Sequence, residues 1–179
     1  MFQIPFFIRD FPDHEKHKYK ILSLIMQEES GLLSSSSKSE KKERISRTDW
    51  QIGKKMSEKI YAKYVIDILD KDIKKILSSM EYKTNKMRYG GMWFQQYETS
   101  DFHSWHRHYN SEWNFVYYLE FDKDCPATEF KNPLNPKETY IPEVREGQYI
   151  LFPSILAHRS APNRSRGRKT VIAMNISTS

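Results

Sequence analysis

The hydrophobic pattern of this chain changes its period at Gly90-Gly91. Before that point, in residues 1–87, apolar side chains such as Ile52, Met56 and Ile60 recur at helical spacing. From residue 88 onward, short aromatic or β-branched runs are bounded by Gly, Pro, Asn or Asp, as strands are. These runs cover residues 92–97, 113–121, 148–152, 156–160 and 169–176. The pattern predicts one domain over residues 1–179. Residues 88–179 should be mainly β and form a sandwich or jelly-roll barrel, and the helices of residues 1–87 should pack against it from outside.

Helices are expected in the first half. Pro12-Asp13 opens the first, with Asp13 as its N-cap, and Gly31 ends it. Thr48 and Gln51 form a T-x-x-Q capping box, which predicts that a second helix begins there, as one long helix or as the first of a pair. The serines at 34–37 and the charged residues that follow indicate an exposed loop.

Composition limits the cellular setting and the partners. The formal charge is +6, and much of the basic excess lies in Lys54 to Lys86 and in the run from Lys38 to Arg44, which favours a solvated helix face; a nucleic-acid partner is the weaker alternative. The single cysteine, Cys125, excludes a disulfide framework and favours a reducing compartment such as the cytoplasm. No window approaches a membrane span, so no membrane association is expected.

Three histidines carry the strongest chemical signal. His106 and His108 are spaced H-x-H, and His158 follows 50 residues later, after a Phe-Pro-Ser turn. In a strand, residues i and i+2 point to the same face, so the first two can share a barrel interior with the third. Neutral imidazoles bind iron, copper, nickel or zinc. The alternative is that they are polar or stacking residues at a barrel mouth, and His103 is a candidate partner that orients a ligand.

The order of motifs in residues 88–177 is specific. A Trp-led strand precedes H-x-H, a Ser and a V-Y-Y-L strand; an E-G turn, an F-P-S…H segment, a P-N pair and a final strand ending in Asn follow. They are Trp93, His106 and His108, Ser111, Val116 to Leu119, Glu146-Gly147, Phe152 to Ser154, His158, Pro162-Asn163 and Met174-Asn175. The segment resembles the iron(II)- and 2-oxoglutarate-dependent oxygenases, and within them the small bacterial and phage members.

The resemblance implies a double-stranded β-helix, a cupin-like jelly roll, with Fe(II) held by His106, His108 and His158 as metal ligands and catalytic residues. It implies conversion of 2-oxoglutarate to succinate with O2, coupled to oxidation of a C–H bond in an unidentified substrate, and use of ascorbate in vitro. It also implies the cytoplasm of a bacterium or a phage-infected host cell.

Two positions depart from the wider superfamily. Its first ligand pair is H-x-D or H-x-E, whereas the carboxylate position here is His108. A nearby carboxylate could serve instead, and the candidates are Asp101, Glu112 and Glu120.

The second departure concerns the basic residue that clamps 2-oxoglutarate, usually an Arg on the last strand. Arg168 and Lys169 both lie in that window, and adjacent strand residues face opposite ways. Lys169 is favoured because it shares a face with Val171 and Ala173. Tyr97 is a further candidate for contact with the co-substrate, with core packing as the competing interpretation.

Two other functions remain open at this stage. One is a cupin-like metalloenzyme with three histidines that does not use 2-oxoglutarate. The other is a non-catalytic binding module on the same fold. The sequence identifies neither the prime substrate nor the oligomeric state.

Overall fold

Antiparallel strands dominate this protein, whose computed structural model describes residues 6–35 and 43–178. Eleven strands and two α-helices are found in that part of the chain. The strands are β1 Phe7–Asp10, β2 Gly31–Ser34, β3 Arg44–Thr48, β4 Arg88–Tyr97, β5 His103–His106, β6 Trp113–Glu120, β7 Thr128–Lys131, β8 Thr139–Tyr140, β9 Gln148–Pro153, β10 His158–Ser160 and β11 Lys169–Ser177. The helices are α1 His14–Met26 and α2 Ile60–Ser78.

The strands form two sheets. The larger has seven strands in the order β1-β9-β6-β11-β4-β3-β2, and the smaller has four in the order β5-β10-β7-β8. One buried cluster fills the space between them, with Val116, Val171 and Ala173 from the large sheet and Phe130 from the small one. Alternation along β6 and β11 places every second side chain in this interior. The predicted jelly roll, mainly β with N-terminal helices, is the observed architecture.

Both helices cover the outer face of the large sheet. A second buried cluster joins Ile21 of α1 and Val65 of α2 to Phe115, Ile172 and other outward residues of the sheet. Those two sheet residues are 0% exposed, although they point away from the barrel interior. The helices therefore explain why β6 and β11 are apolar on both faces, as strands covered on two sides are.

The N-terminal 87 residues contain strands as well as helices, which corrects the expectation for Thr48. The T-x-x-Q motif does not start a helix, because Thr48 ends β3 and α2 begins only at Ile60. The Thr48 hydroxyl donates to the Phe94 carbonyl at 2.6 Å, and Asp49 accepts the Phe94 N–H at 3.0 Å. Asp49 also pairs with buried Lys59 at 2.8 Å. These polar contacts join the end of β3 to its neighbour β4 and to the start of α2, and they take the place of the helix cap that the local motif predicted.

The first helix begins where it was predicted and ends earlier than expected. It runs from His14 to Met26 with Asp13 at its N-cap position, although Asp13 lies in the left-handed region, at φ 46°, and caps the helix through its backbone carbonyl rather than through its side chain. Gly31 lies in β2, which pairs with β3 as a hairpin. Ser34, which was predicted to lie in an exposed loop, is the last residue of β2. Residues 36–42 of that predicted loop lie outside the described part of the chain. No helix among the described residues is long and apolar enough to cross a bilayer.

Candidate metal centre

The three predicted histidines meet in the cavity between the sheets. β5 ends at His106, β10 begins at His158, and these two residues are Cα partners across the strands. The ring centroids of His106 and His158 are 4.2 Å apart, and that of His108 lies 5.2 and 5.3 Å from them. One ring nitrogen from each lies within 4.8 Å of the others. A single ion can be reached from all three.

His108 reaches the cluster by a different route from the one its spacing suggested. β5 stops at His106, so the i, i+2 rule for strands does not apply to His108. Its backbone N–H donates to the Ser154 carbonyl at 3.2 Å, and its ring stacks on Trp93 with centroids 5.7 Å apart. The turn after the strand, fixed by these two contacts, directs the ring into the cavity.

Backbone carbonyls orient two of the rings for metal binding. His106 Nδ1 lies 2.7 Å from the Ser104 carbonyl, and His158 Nδ1 lies 2.9 Å from the Leu156 carbonyl. A carbonyl only accepts, so each Nδ1 carries the proton and each Nε2 keeps a lone pair. Metal-binding histidines are commonly fixed in this way. The donor set fits a divalent transition metal.

The histidines are also held in the neutral form that binds metals. Burial lowers the pKa of His158 to about 3 and that of His108 to about 4. Burial and the neighbouring imidazoles hold the pKa of His106 far below its usual range. No proton therefore has to be displaced from these nitrogens at neutral pH.

The three nearby carboxylates considered as alternative ligands are engaged elsewhere. Asp101 accepts the backbone N–H groups of Ser46 and Glu98 and pairs with Arg44. Glu112 accepts the N–H of Thr178 at 2.9 Å, and Glu120 pairs with Arg168. Within residues 6–35 and 43–178, no carboxylate shares the ligand-atom cluster of the three histidines.

A fourth histidine lies behind the cluster. His103 stacks on His106 with ring centroids 4.0 Å apart, and its Nε2 lies 3.0 Å from a Glu43 carboxylate oxygen. Gln95 Nε2 lies 3.3 Å from the other ring nitrogen. The sequence suggested His103 as a partner but gave no signal for Glu43, which is 60 residues away in the chain.

Lys169, not Arg168, faces the cavity. Lys169 is 1% exposed, and its Nζ donates to the Pro126 carbonyl at 2.6 Å and to the Ser160 hydroxyl at 2.9 Å. Burial lowers its pKa to about 7. Arg168 instead makes a two-point contact with Glu120, at 2.9 and 3.0 Å, outside the barrel. The cavity thus has imidazoles on one side and a buried amine at one end.

Tyr97 lies beside this amine. Lys169 Nζ is 5.1 Å from the centre of the Tyr97 ring, and the two residues are Cα partners between β4 and β11. The Tyr97 hydroxyl donates to Gln95 Oε1 at 2.9 Å, and burial raises its pKa well above the usual range. It is therefore a neutral phenol that both packs in the core and lines the cavity. Ser160 and Gln95 line the same end, and sequence reasoning did not identify them.

A protein family and several solved structures are similar to this chain. Residues 91–175 match the family described as "Putative 2OG-Fe(II) oxygenase". A 2OG-Fe(II) oxygenase family oxidoreductase from Burkholderia pseudomallei is similar in structure, with a TM-score of 0.75 and 12% identity, over 97% of this chain and 85% of that one. No significant match to a curated protein sequence was found.

Two hydroxylases have the same fold. A prolyl-4-hydroxylase from Pseudomonas putida gives a TM-score of 0.66 at 10% identity, over 99% of this chain and 94% of that one. The viral collagen prolyl hydroxylase of Paramecium Bursaria Chlorella virus-1, solved with 2OG, gives 0.59 at 14% identity, over 96% and 94%. At these sequence identities, the similarity in structure establishes the fold alone. The family match adds evidence from the sequence, in the order of its motifs. Residues 91–175 therefore match the 2OG-Fe(II) oxygenase family, as the sequence motifs had implied.

Proposed function

We propose that this oxygenase is a hydroxylase that binds Fe(II) through His106, His108 and His158 and takes 2-oxoglutarate and O2 as co-substrates. The observation that carries the proposal is the pairing of two neutral, carbonyl-oriented imidazoles with a buried amine in one cavity. With iron bound, O2 would be the oxidant: one of its oxygen atoms would enter succinate as 2-oxoglutarate loses CO2, and the other would be inserted into a C–H bond of the substrate. Ascorbate is expected to sustain the reaction in vitro.

We propose that the three histidines bind the metal ion as neutral ligands, so that they contribute no negative charge to the site. Three neutral ligands leave the ion's double positive charge uncompensated, whereas a set with one carboxylate would cancel part of it. The dianion of 2-oxoglutarate would then be the main source of negative charge at the ion. We therefore expect metal affinity to depend on 2-oxoglutarate more strongly than it does with a carboxylate ligand.

Lys169 is proposed to hold the far carboxylate of 2-oxoglutarate. It is already placed by the Pro126 carbonyl and the Ser160 hydroxyl, so little side-chain freedom is lost on binding. Tyr97 forms part of the wall beside the same amine and excludes water from it. Arg168 is assigned no part in binding, because Glu120 holds it outside the barrel.

Metal binding by single variants tests this proposal. We expect His158→Ala to lose stoichiometric Fe(II) under anaerobic conditions, measured by titration and by iron content after desalting. His17→Ala is the matched control, since that imidazole lies on α1 against Tyr64. Full iron occupancy in His158→Ala would exclude the assignment.

The alternative with a specific observation behind it is a three-histidine metalloenzyme that does not use 2-oxoglutarate. The absence of a carboxylate from the ligand cluster in the described residues supports it. Succinate formation decides between the two. Iron-loaded wild-type protein that gives no succinate above a metal-free control, with or without ascorbate, would favour the alternative.

A further inference from the structure

Two asparagines lie opposite each other at the end of the cavity remote from Lys169. Asn114 on β6 and Asn175 on β11 are Cα partners, and both line the cavity that holds the histidines. Asn175 is six residues along β11 from Lys169, which corresponds to about 20 Å of extended strand. The proposed 2-oxoglutarate position and the asparagine pair are therefore at different ends.

Each asparagine carries a buried polar atom without a hydrogen-bond partner among residues 6–35 and 43–178. Asn114 is 3% exposed; its Oδ1 accepts from the Ser154 hydroxyl at 3.0 Å and from the Ser111 hydroxyl at 3.5 Å. These contacts direct its Nδ2 away from the serines, and that Nδ2 has no partner in the described part of the chain. Asn175 Oδ1 likewise has none among the described residues. Buried amide groups are nearly always paired, so a donor and an acceptor left open together indicate a position for a ligand.

The two open atoms select one kind of functional group. Asn114 offers a neutral N–H, and Asn175 offers a carbonyl oxygen. A carboxylate or phosphate could accept from Asn114 but would place negative charge against the Asn175 oxygen. An ammonium group could donate to Asn175 but would face the Asn114 N–H. A primary amide has an acceptor and a donor side by side on one edge, its C=O and its syn N–H, and satisfies both; in a trans secondary amide, such as a peptide bond, these two groups point to opposite edges.

The backbone of β4 leaves room for such a group to enter. Asn175 pairs with Gly91, and the next pair is Ile176 with Tyr89, so Gly90 is the extra residue of a β-bulge. A Cβ at Gly90 would lie 3.7 Å from the Asn175 Cβ, so a side chain there would narrow the space beside this amide. Trp93 and Asn175 line both the cavity and an adjoining surface groove that also contains Trp50, Lys55 and Asn110. A chain lying in this groove would reach Asn175 directly, and through it the cavity that Asn114 lines.

The asparagines are also linked to the metal cluster. The Ser154 that holds Asn114 through its hydroxyl accepts the backbone N–H of His108 through its carbonyl. Trp93, which stacks on His108, pairs with Ala173, two residues before Asn175. A group bound at the asparagines would therefore sit next to the histidines, on the side away from Lys169.

We propose that Asn114 and Asn175 recognise a primary amide group of the prime substrate, with Asn114 Nδ2–H donating to the carbonyl of that amide and the N–H of that amide donating to Asn175 Oδ1. The proposal rests on the proposed function for the oxidation itself and names the chemical class that the site selects. Both the side chain of a glutamine or asparagine in a polypeptide and a small free amide have this chemistry.

Three probes of nearly equal shape test the pairing on metal-free protein. They are acetamide, methyl acetate, which lacks the donor, and acetate, which is an anion. The readout is the side-chain NH2 resonance of Asn114 in ¹H–¹⁵N spectra, identified by its loss in Asn114→Asp. We expect acetamide to shift it saturably and methyl acetate to bind about tenfold more weakly, because an ester oxygen would face Asn175 Oδ1. Acetate should not bind.

Variants provide the second arm. Asn175→Asp keeps the shape of the side chain but puts an anion where a neutral group was, and it should change the preference between amide and ester. Asn85→Asp, on an exposed turn, is the matched control and should leave the preference unchanged. Equal affinity for amide and ester in the wild-type protein would overturn the proposal, whether or not the variants fold.

The source of the amide is distinguished with longer probes. Tighter binding of an N-acetylated tripeptide methylamide with a central glutamine than of acetamide would indicate a polypeptide side chain, and equal binding a small amide. Displacement of acetamide by uridine at lower concentration than by the tripeptide would mean that the site takes a nucleobase, and the amide assignment would be wrong. Because no iron or 2-oxoglutarate is used, failure here leaves the proposed function standing, and loss of iron binding leaves this result standing.

Discussion

Replacing Lys169 with Met is expected to stabilise the metal-free protein while removing its affinity for 2-oxoglutarate. Lys169 is buried, and its Nζ contacts only a carbonyl and a hydroxyl among the hydrogen bonds of the described residues. No carboxylate in that part of the chain forms an ion pair with it. The amine is thus placed for a ligand's charge and costs stability while the ligand is absent.

The size of this cost follows from the pKa. Burial lowers the pKa of Lys169 from 10.5 to about 7, a difference that corresponds to about 5 kcal/mol. Methionine removes this cost but leaves the Pro126 carbonyl and the Ser160 hydroxyl without a donor, which costs about 1–3 kcal/mol. We expect a net gain of about 2–4 kcal/mol in the free energy of unfolding at pH 7.

The gain should depend on pH with a definite sign. Between pH 7 and 10.5 the unfolded lysine binds a proton and the folded one does not, so wild-type stability rises with pH through this window. The advantage of Lys169→Met is therefore fully present below about pH 7 and disappears toward pH 10.5. Urea unfolding of both proteins across this range measures it.

Binding of 2-oxoglutarate should change in the opposite direction. Loss of a buried charged partner costs about 2–5 kcal/mol, or roughly 30- to 5,000-fold in affinity. Arg168→Met is the matched control and should cost less than about 1 kcal/mol, because that side chain is partly exposed and held by Glu120.

In the wild type, a bound carboxylate raises the pKa of Lys169, so binding takes up a proton above pH 7 and weakens as pH rises. Calorimetry of the metal-loaded protein in buffers of different ionisation enthalpy measures both effects. Equal losses in the two variants, or binding without proton uptake above pH 7, would refute the reasoning.

Three further outcomes are expected from buried groups outside the co-substrate end. Asp49→Asn should lower the free energy of unfolding by about 3–5 kcal/mol in urea titrations, because Lys59 would keep a buried charge without its partner. Gly147→Ala should lower the free energy of unfolding by at least about 2 kcal/mol, since the φ of Gly147 is +81° and the new Cβ would lie 2.9 Å from an imidazole carbon of His14 in α1. An unchanged free energy of unfolding in the same urea titrations would contradict this close contact. Burial lowers the pKa of His108 and His158 below 6.5, so the metal-free protein should lose stability as pH falls, by about 2–3 kcal/mol per histidine near pH 4.5. Thermal unfolding of the wild type and of the His108→Gln, His158→Gln double variant as a function of pH checks this, and an identical dependence of stability on pH in the two proteins would contradict it.

Several features follow from the sequence alone because they depend on local pattern. The strands from residue 88 onward alternate or stay apolar according to the faces they bury, and each of the runs predicted there appears as a strand, although β10 is shorter than expected. The face of Lys169 could be assigned because the side-chain period of a strand is two, and its companions Val171 and Ala173 are inward in the structure. Motif order gave the oxygenase family.

Other features were decided only by contacts between distant parts of the chain. Thr48 has the chemistry of a helix cap, yet its hydroxyl bonds to β4, because a long-range hydrogen bond in a buried sheet outweighs a local preference. His108 joins its partners through Ser154 and Trp93 rather than through strand spacing. The pairing of Asn114 with Asn175 joins positions 61 residues apart, and no local period could bring their amides to one cavity. The sequence determines which face each strand residue takes; strand order and register, which depend on packing the whole core at once, determine which residues meet there.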